Sequence, residues 1–162
     1  MKIATIGRGN IGGGLAKRWR ATGHDVTEFG SEGGNATGSD AVLVAIPSNA
    51  IENAFTKVAG IEDAVVIDAT NAFTGREEGF DSLAHQVKSH VSGPVAKAFN
   101  CNYAALFDEL DQQRVTPCCL YAAETPVSAV AEALAPFRGR GALIPAMLER
   151  AGRRLSLAAL EL

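Results

Sequence analysis

The segment Gly7-Arg8-Gly9-Asn10-Ile11-Gly12 constrains the fold of this chain more than any other. Ahead of it, Lys2-Ile3-Ala4-Thr5-Ile6 reads as a short apolar strand that stops at Gly7. Behind it, Ile11, Leu15 and Trp19 recur every fourth residue while Lys17, Arg18 and Arg20 fall on the other side, the pattern of an amphipathic helix. In a strand–turn–helix each of the three glycines has a physical task. Gly7 turns the chain sharply out of the strand, Gly9 lets backbone approach an anion, and Gly12 lets the helix lie close to the strand. The helix start adds unpaired N–H groups and the positive end of the helix dipole. Together these features predict a dinucleotide pyrophosphate site made by Gly7, Arg8, Gly9, Asn10, Ile11 and Gly12.

The remaining pattern extends this unit. Gly23 predicts the helix stop, and residues 26–29 the next strand. Residues 31–39 are glycine and small polar residues without helical period, and read as a loop. Residues 41–46 are apolar without alternation, as befits a parallel strand covered on both faces. So short a crossover is near the minimum for parallel strands. A helix is expected from Pro47-Ser48, with Ser48 as N-cap, Ala50, Ala54 and Val58 on its faces and Ile51 and Phe55 beside them. A strand at 64–67 leads to the loop 68–73; a helix at 82–90, a strand at 95–99, a short helix at 103–110 and a strand at 117–121 follow. Thr125-Pro126 predicts a helix start with Val127, Val130, Leu134 and Phe137 inward, then a strand at 142–144 and a terminal helix. The alternation gives a single α/β domain, residues 1–162, with a doubly wound, mainly parallel sheet: an NAD(P)-binding Rossmann fold. The C-terminal helix, about 146–162, carries Leu155, Leu157, Leu160 and Leu162, and is expected at the interface of a homodimer.

Bulk composition excludes several classes of function. With 47% apolar residues, 20% charged residues and a net charge of −3, nothing global favours nucleic acid or an anionic membrane. No apolar run approaches a membrane span, and the sequence opens directly on a strand with no signal-like segment. Cys101, Cys118 and Cys119 lack metal-like spacing and read as thiols of a reducing compartment, so a cytoplasmic protein is expected. No metal is predicted: His24 sits in a turn, while His85 and His90 share a helix without a second ligand at metal spacing. Arg138, Arg140, Arg150, Arg153 and Arg154 read as a solvated face, with an anion patch as the alternative.

At the end of the second strand, NAD-binding domains usually place an acid that accepts from the ribose 2′-OH. Here that position falls on Gly30, followed by Ser31. The missing acid removes repulsion toward a 2′-phosphate, Ser31 can donate to one, and Arg8 carries positive charge. Glu32 argues the other way, and Glu28 is a rival ribose acceptor. NADP(H) is expected, with NAD(H) as the alternative.

The glycine loop, Ala45-Ile46-Pro47, Asp68-Ala69-Thr70-Asn71 and Ala96-Lys97-Ala98-Phe99-Asn100 occur in the order and spacing of one family. The chain resembles, from Lys2 to about Leu160, the NADP oxidoreductases dependent on coenzyme F-420, which pass a hydride between NADP(H) and a deazaflavin. The resemblance implies that Ala45, Ile46 and Pro47 run along the cofactor near its nicotinamide ribose. It also implies that Asn71 and Phe73 face the nicotinamide and the acceptor ring, with Asn100 on the opposite wall. Two departures stand out. The family usually has arginine where Glu32 stands here, and it usually continues with more terminal helix. Hydride transfer between two rings needs positioning and exclusion of water rather than a catalytic residue, and none is assigned. Asp68 is the carboxylate nearest the expected site, with a hydrogen bond to loop backbone as its expected role. The alternative from another class is a non-catalytic NAD(P)-binding sensor or partner module.

Overall fold

The opening motif folds as its pattern requires. In the computed structural model, which describes residues 1–114 and 119–123, strand β1 (Lys2–Ile6) runs into the glycine turn and helix α1 (Asn10–Ala21). Leu15, Ala16 and Trp19 on α1 are fully buried, while Lys17 and Arg20 face solvent. Next come β2 (Asp25–Phe29), β3 (Gly34–Asn35), β4 (Ala41–Val44), α2 (Ile51–Phe55), β5 (Val58–Ala59) and β6 (Val65–Asp68). Helix α3 (Leu83–Lys88), β7 (Val95–Ala98), a 3₁₀ segment (Ala104–Gln112) and β8 (Tyr121–Ala123) complete the described elements. The predicted helix at Thr125, the strand at 142–144, the leucine-bearing helix at 146–162 with its dimer contact, the arginine cluster and Cys118 lie outside the described residues.

Among the described residues the main sheet has six strands in the order β2-β1-β4-β6-β7-β8. All neighbours pair parallel except β8, which runs antiparallel to β7. Alternate residues feed two cores. Ile3, Leu43 and Ile67 pack toward α1 with Leu15, Trp19 and Phe107; Ala4, Ile6, Val42, Val44 and Val66 pack on the other face with Ile51, Leu83 and Val87. A sheet covered on both faces explains why β4 reads as unbroken apolar sequence. The fold is thus the predicted doubly wound, mainly parallel α/β sheet.

Register matters most for function. Phe29, Ile6, Val44, Asp68 and Lys97 lie level across five adjacent strands. The turns that follow all leave from one edge. Because β1 lies between β2 and β4, the chain winds to one side of β1 and then returns to the other, opening a crevice at the carboxyl ends of β1 and β4.

The loop expected at 31–39 contains β3, which pairs parallel with β5 in a separate two-stranded sheet. Backbone bonds from Gly34 N to Lys57 O (3.1 Å) and from Ala36 N to Ala59 O (2.8 Å) secure it. A crossover too short for a helix thereby satisfies its backbone against the next unit, and β2 is left as an edge strand of the main sheet among the described residues. Val58, expected on a helix face, belongs to β5. Ser48 does not cap α2: it opens a 3₁₀ turn (Ser48–Ala50), and its buried hydroxyl donates to Gly75 O at 2.6 Å. Ser82, by contrast, caps α3, its Oγ accepting from His85 N. The strand expected at 117–121 is found at Tyr121–Ala123, with residues 115–118 outside the described set. Among the described residues no helix is long and apolar enough to cross a membrane.

Candidate functional site

Gly7 makes the turn with φ +108°, a conformation costly for any side-chain-bearing residue, and its N–H donates to Phe29 O at 2.9 Å. A Cβ on Gly7 would fall 2.2 Å from Ala45 O, and one on Gly12 would fall 1.9 Å from Gly7 O. These two glycines therefore let the turn, α1 and the end of β4 pack into each other. Gly9 differs, for no described residue lies within 4 Å of the place its Cβ would take. Among the described residues, no side chain caps the start of α1. The turn thus presents open backbone N–H groups beside free space, which fits a bound pyrophosphate.

The crevice above this turn has a volume of about 320 Å³, within the range of small-molecule sites. Its walls are Gly7, Arg8 and Gly9 after β1, Gly30, Ser31 and Gly33 after β2, and Ala45, Ile46 and Pro47 after β4. Seven residues singled out from sequence, Gly7, Arg8, Gly9, Ser31, Ala45, Ile46 and Pro47, meet here. Asn10 lines a neighbouring cleft with Gly13, Lys17 and Asp108. Ile11 packs against the core, and Gly12 is buried beneath Gly7, so these two act through backbone and packing. Asn53, Ala54 and Lys57 also line the crevice without having been singled out. Helical periodicity gave no signal for Lys57, because α2 ends at Phe55 and the chain turns there.

Two ion pairs lie at and beside the end of the crevice next to β2. Arg8 lies 3.0 Å from Glu32, whose Oε1 also accepts from Gly30 N at 3.2 Å. Backbone N–H bonds from Glu32 itself and Gly30, with Arg8 adding to them, hold the Glu32 carboxyl below its ordinary range. Glu32 therefore stays ionised and neutralises Arg8. Glu28 is engaged by Arg20 at 2.5 Å on the flank of α1. Lys57 Nζ donates to Ser31 O at 3.0 Å.

Further along the same edge, Asn71 Nδ2 donates to Asn100 O at 2.9 Å, joining the loops after β6 and β7. Phe99 enters the left-handed region, φ +64°, to make this turn. That conformation costs about 1–2 kcal/mol. It is offset by complete burial of the ring, which stands edge-on to Trp19 at 6.0 Å. Phe73 is 84% exposed and reaches neither asparagine through any described contact, so this predicted site residue projects into solvent. Asp68 makes the expected bond to loop backbone, Oδ1 accepting from Thr70 N at 2.8 Å. It also pairs with Lys97 at 2.9 Å, both side chains wholly buried. Lys97 belongs to a motif quoted above, but its role depends on a partner two loops away. His90 bonds Glu52 at 2.8 Å and stacks on Phe55, His85 meets Ser82 Oγ, and His24 meets the N-terminal amine; all lie outside the crevice lining.

A doubly wound parallel sheet with a glycine turn and a crevice at its switch point places the chain in the class of Rossmann-like α/β folds. No protein-family model matches the chain, and no curated protein matches it. Solved structures do. The chain is similar to a candidate F-420-dependent NADP-reductase from Arthrobacter sp., with TM-score 0.67 and 18% identity over 95% of this chain and 96% of that one. It is similar to a hypothetical protein from Sinorhizobium meliloti, with TM-score 0.66 and 24% identity over 85% and 81% of the two chains. A reductive aminase from Aspergillus terreus, solved with NADPH, matches with TM-score 0.58 and 14% identity over 83% of this chain, which spans about half (52%) of the aminase. At these identities the likeness establishes a shared Rossmann-like fold.

Proposed function

We propose that this protein is an oxidoreductase that moves a hydride between NADP(H) and a flat acceptor of the deazaflavin type, coenzyme F-420. The observation that carries the reading is the crevice at the switch point. Its floor is the uncapped start of α1, and the space beside Gly9 is what a pyrophosphate needs. The nicotinamide, when bound, supplies or accepts the hydride. The chain's own residues do the rest. Gly7, Arg8, Gly9 and Asn10 receive the pyrophosphate on backbone N–H groups, with Ile11 and Gly12 setting the helix against the strand. Ser31 receives the adenosine ribose, and Ala45, Ile46 and Pro47 form an apolar wall that excludes water from the cofactor. Asn71 and Asn100, locked to each other, frame the place of transfer, and the exposed ring of Phe73 offers the acceptor a flat apolar surface. The full-length likeness to the Arthrobacter protein, and that to the aminase seen with NADPH, support this reading.

The test is a titration with NADPH and NADH followed by oxidised deazaflavin. Loss of the deazaflavin visible band with NADPH is the expected result. Dinucleotide binding with no change in that band would overturn the acceptor and leave a binding module that serves a partner or senses redox state. No binding of either dinucleotide would overturn the whole reading.

A further inference from the structure

The turn after β2 is clamped to the residue that follows α2. Gly33 has φ +78°, and a Cβ there would sit 2.2 Å from Lys57 O. Gly34 N donates to that same carbonyl at 3.1 Å, and β3 continues onto β5. The backbone of Lys57 is thereby tied to the turn bearing Ser31, and its ammonium closes the arrangement on Ser31 O at 3.0 Å. The end of β2 is where dinucleotide-binding domains distinguish a ribose 2′-OH from a 2′-phosphate. Among the described residues, two charged side chains line the crevice, Arg8 and Lys57. Arg8 is committed to Glu32. Lys57 has no acidic partner among the described residues, and one of its three N–H donors is used on a carbonyl.

We propose that Lys57 is the residue that selects the 2′-phosphate of NADP(H), in the place that the Arg8–Glu32 pair leaves without net charge. The proposal rests on the reading of the crevice as a dinucleotide site. Glu32 opposes it only weakly, because its carboxylate is shared between Arg8 and Gly30 N. A lysine suits the task as a compact charge with donors still free, whose position is set by backbone pairing rather than by its own long side chain. The crossover between β2 and β4, too short for a helix, is what brings Lys57 there.

The experiment is calorimetric titration of the whole chain and of Lys57→Met and Lys57→Arg with NADPH and NADH, with thermal melts of each. Methionine keeps the apolar stem and removes the charge. Expected are wild-type preference for NADPH, a loss of about ten- to a hundredfold in NADPH affinity in Lys57→Met with NADH affinity within about twofold, and recovery of the preference in Lys57→Arg. Equal loss for both dinucleotides in a variant that melts normally would overturn the proposal and assign Lys57 to loop support, and so would no loss at all. Wild-type binding of NADH as tight as NADPH would overturn the role of Lys57 while leaving the crevice reading intact. Failure of the wild type to bind either would remove both.

Discussion

Lys97 Nζ lies 2.9 Å from Asp68 Oδ2, and neither side chain has any contact with solvent. The two residues are level on adjacent strands β6 and β7, at the edge from which the Asn71 and Asn100 loops depart. Thr70 completes the knot. Its carbonyl accepts from Lys97 at 2.5 Å, and its hydroxyl donates to Asp68 at 2.6 Å. An ammonium and a carboxylate removed from water in this way must satisfy each other and their remaining valences, and here the loop backbone joins in. The pair therefore links sheet stability to the geometry of the loop carrying Asn71.

Removing one partner leaves the other charged and buried. Lys97→Met is expected to lower unfolding free energy by about 3–5 kcal/mol, read from urea unfolding. Replacing both, as Lys97→Met with Asp68→Leu, should recover a large part of that loss. A single variant as stable as the wild type would show that the pair does not hold this edge together.

The glycines separate folding from binding. Gly9→Ala meets no neighbour, so its melting temperature should stay within a few degrees of the wild type while dinucleotide affinity falls at least about tenfold. Gly12→Ala drives a methyl to 1.9 Å from Gly7 O and should destabilise the protein by about 1–3 kcal/mol. Equal effects of the two on stability would contradict this division.

Glu32→Gln breaks the neutralisation of Arg8 and removes a negative charge from the turn after β2. NADPH affinity should rise by up to about fivefold with NADH little changed, the size expected of a solvent-screened pair. Competitive titration of the two dinucleotides measures it. A weaker grip on NADPH in the variant would mean that Glu32 supports the turn more than it hinders the phosphate.

Glu52 gives the stability of the α2–α3 side a pH dependence. The Gln86 amide first, and His90 second, hold its carboxyl below the ordinary value of 4.5. A carboxyl depressed in the folded state stabilises the fold above its unfolded pKa, and that contribution fades as pH falls through the folded one. Half exposure of the side chain keeps the effect below about 1 kcal/mol. The wild type should exceed Glu52→Gln in stability near neutral pH, and the two should converge in acid. A gap that persists undiminished at low pH would assign the difference to packing.

Much of the architecture was legible because it is enforced locally. A strand, a glycine turn and an amphipathic helix follow from steric needs of consecutive residues, and the unbroken apolar run of β4 follows from burial on both faces. Ala45-Ile46-Pro47 were singled out through the family resemblance, and the fold sets them beside the glycine turn because β1 and β4 are adjacent parallel strands. Other features required the fold. Ser31 and Lys57, Arg8 and Glu32, Ser48 and Gly75, and Asp68 and Lys97 are partners far apart in sequence, and no periodicity announces them. The pairing of β3 with β5 is of the same kind: two residues per strand are too few to show a pattern. The sequence by itself determined the class of fold and the glycine turn, because period and glycine sterics act over a few residues. Which charges meet after β2, and which side chains lock the loops after β6 and β7, was decided by tertiary structure, because hydrogen bonds and ion pairs depend on distances that only the folded sheet sets.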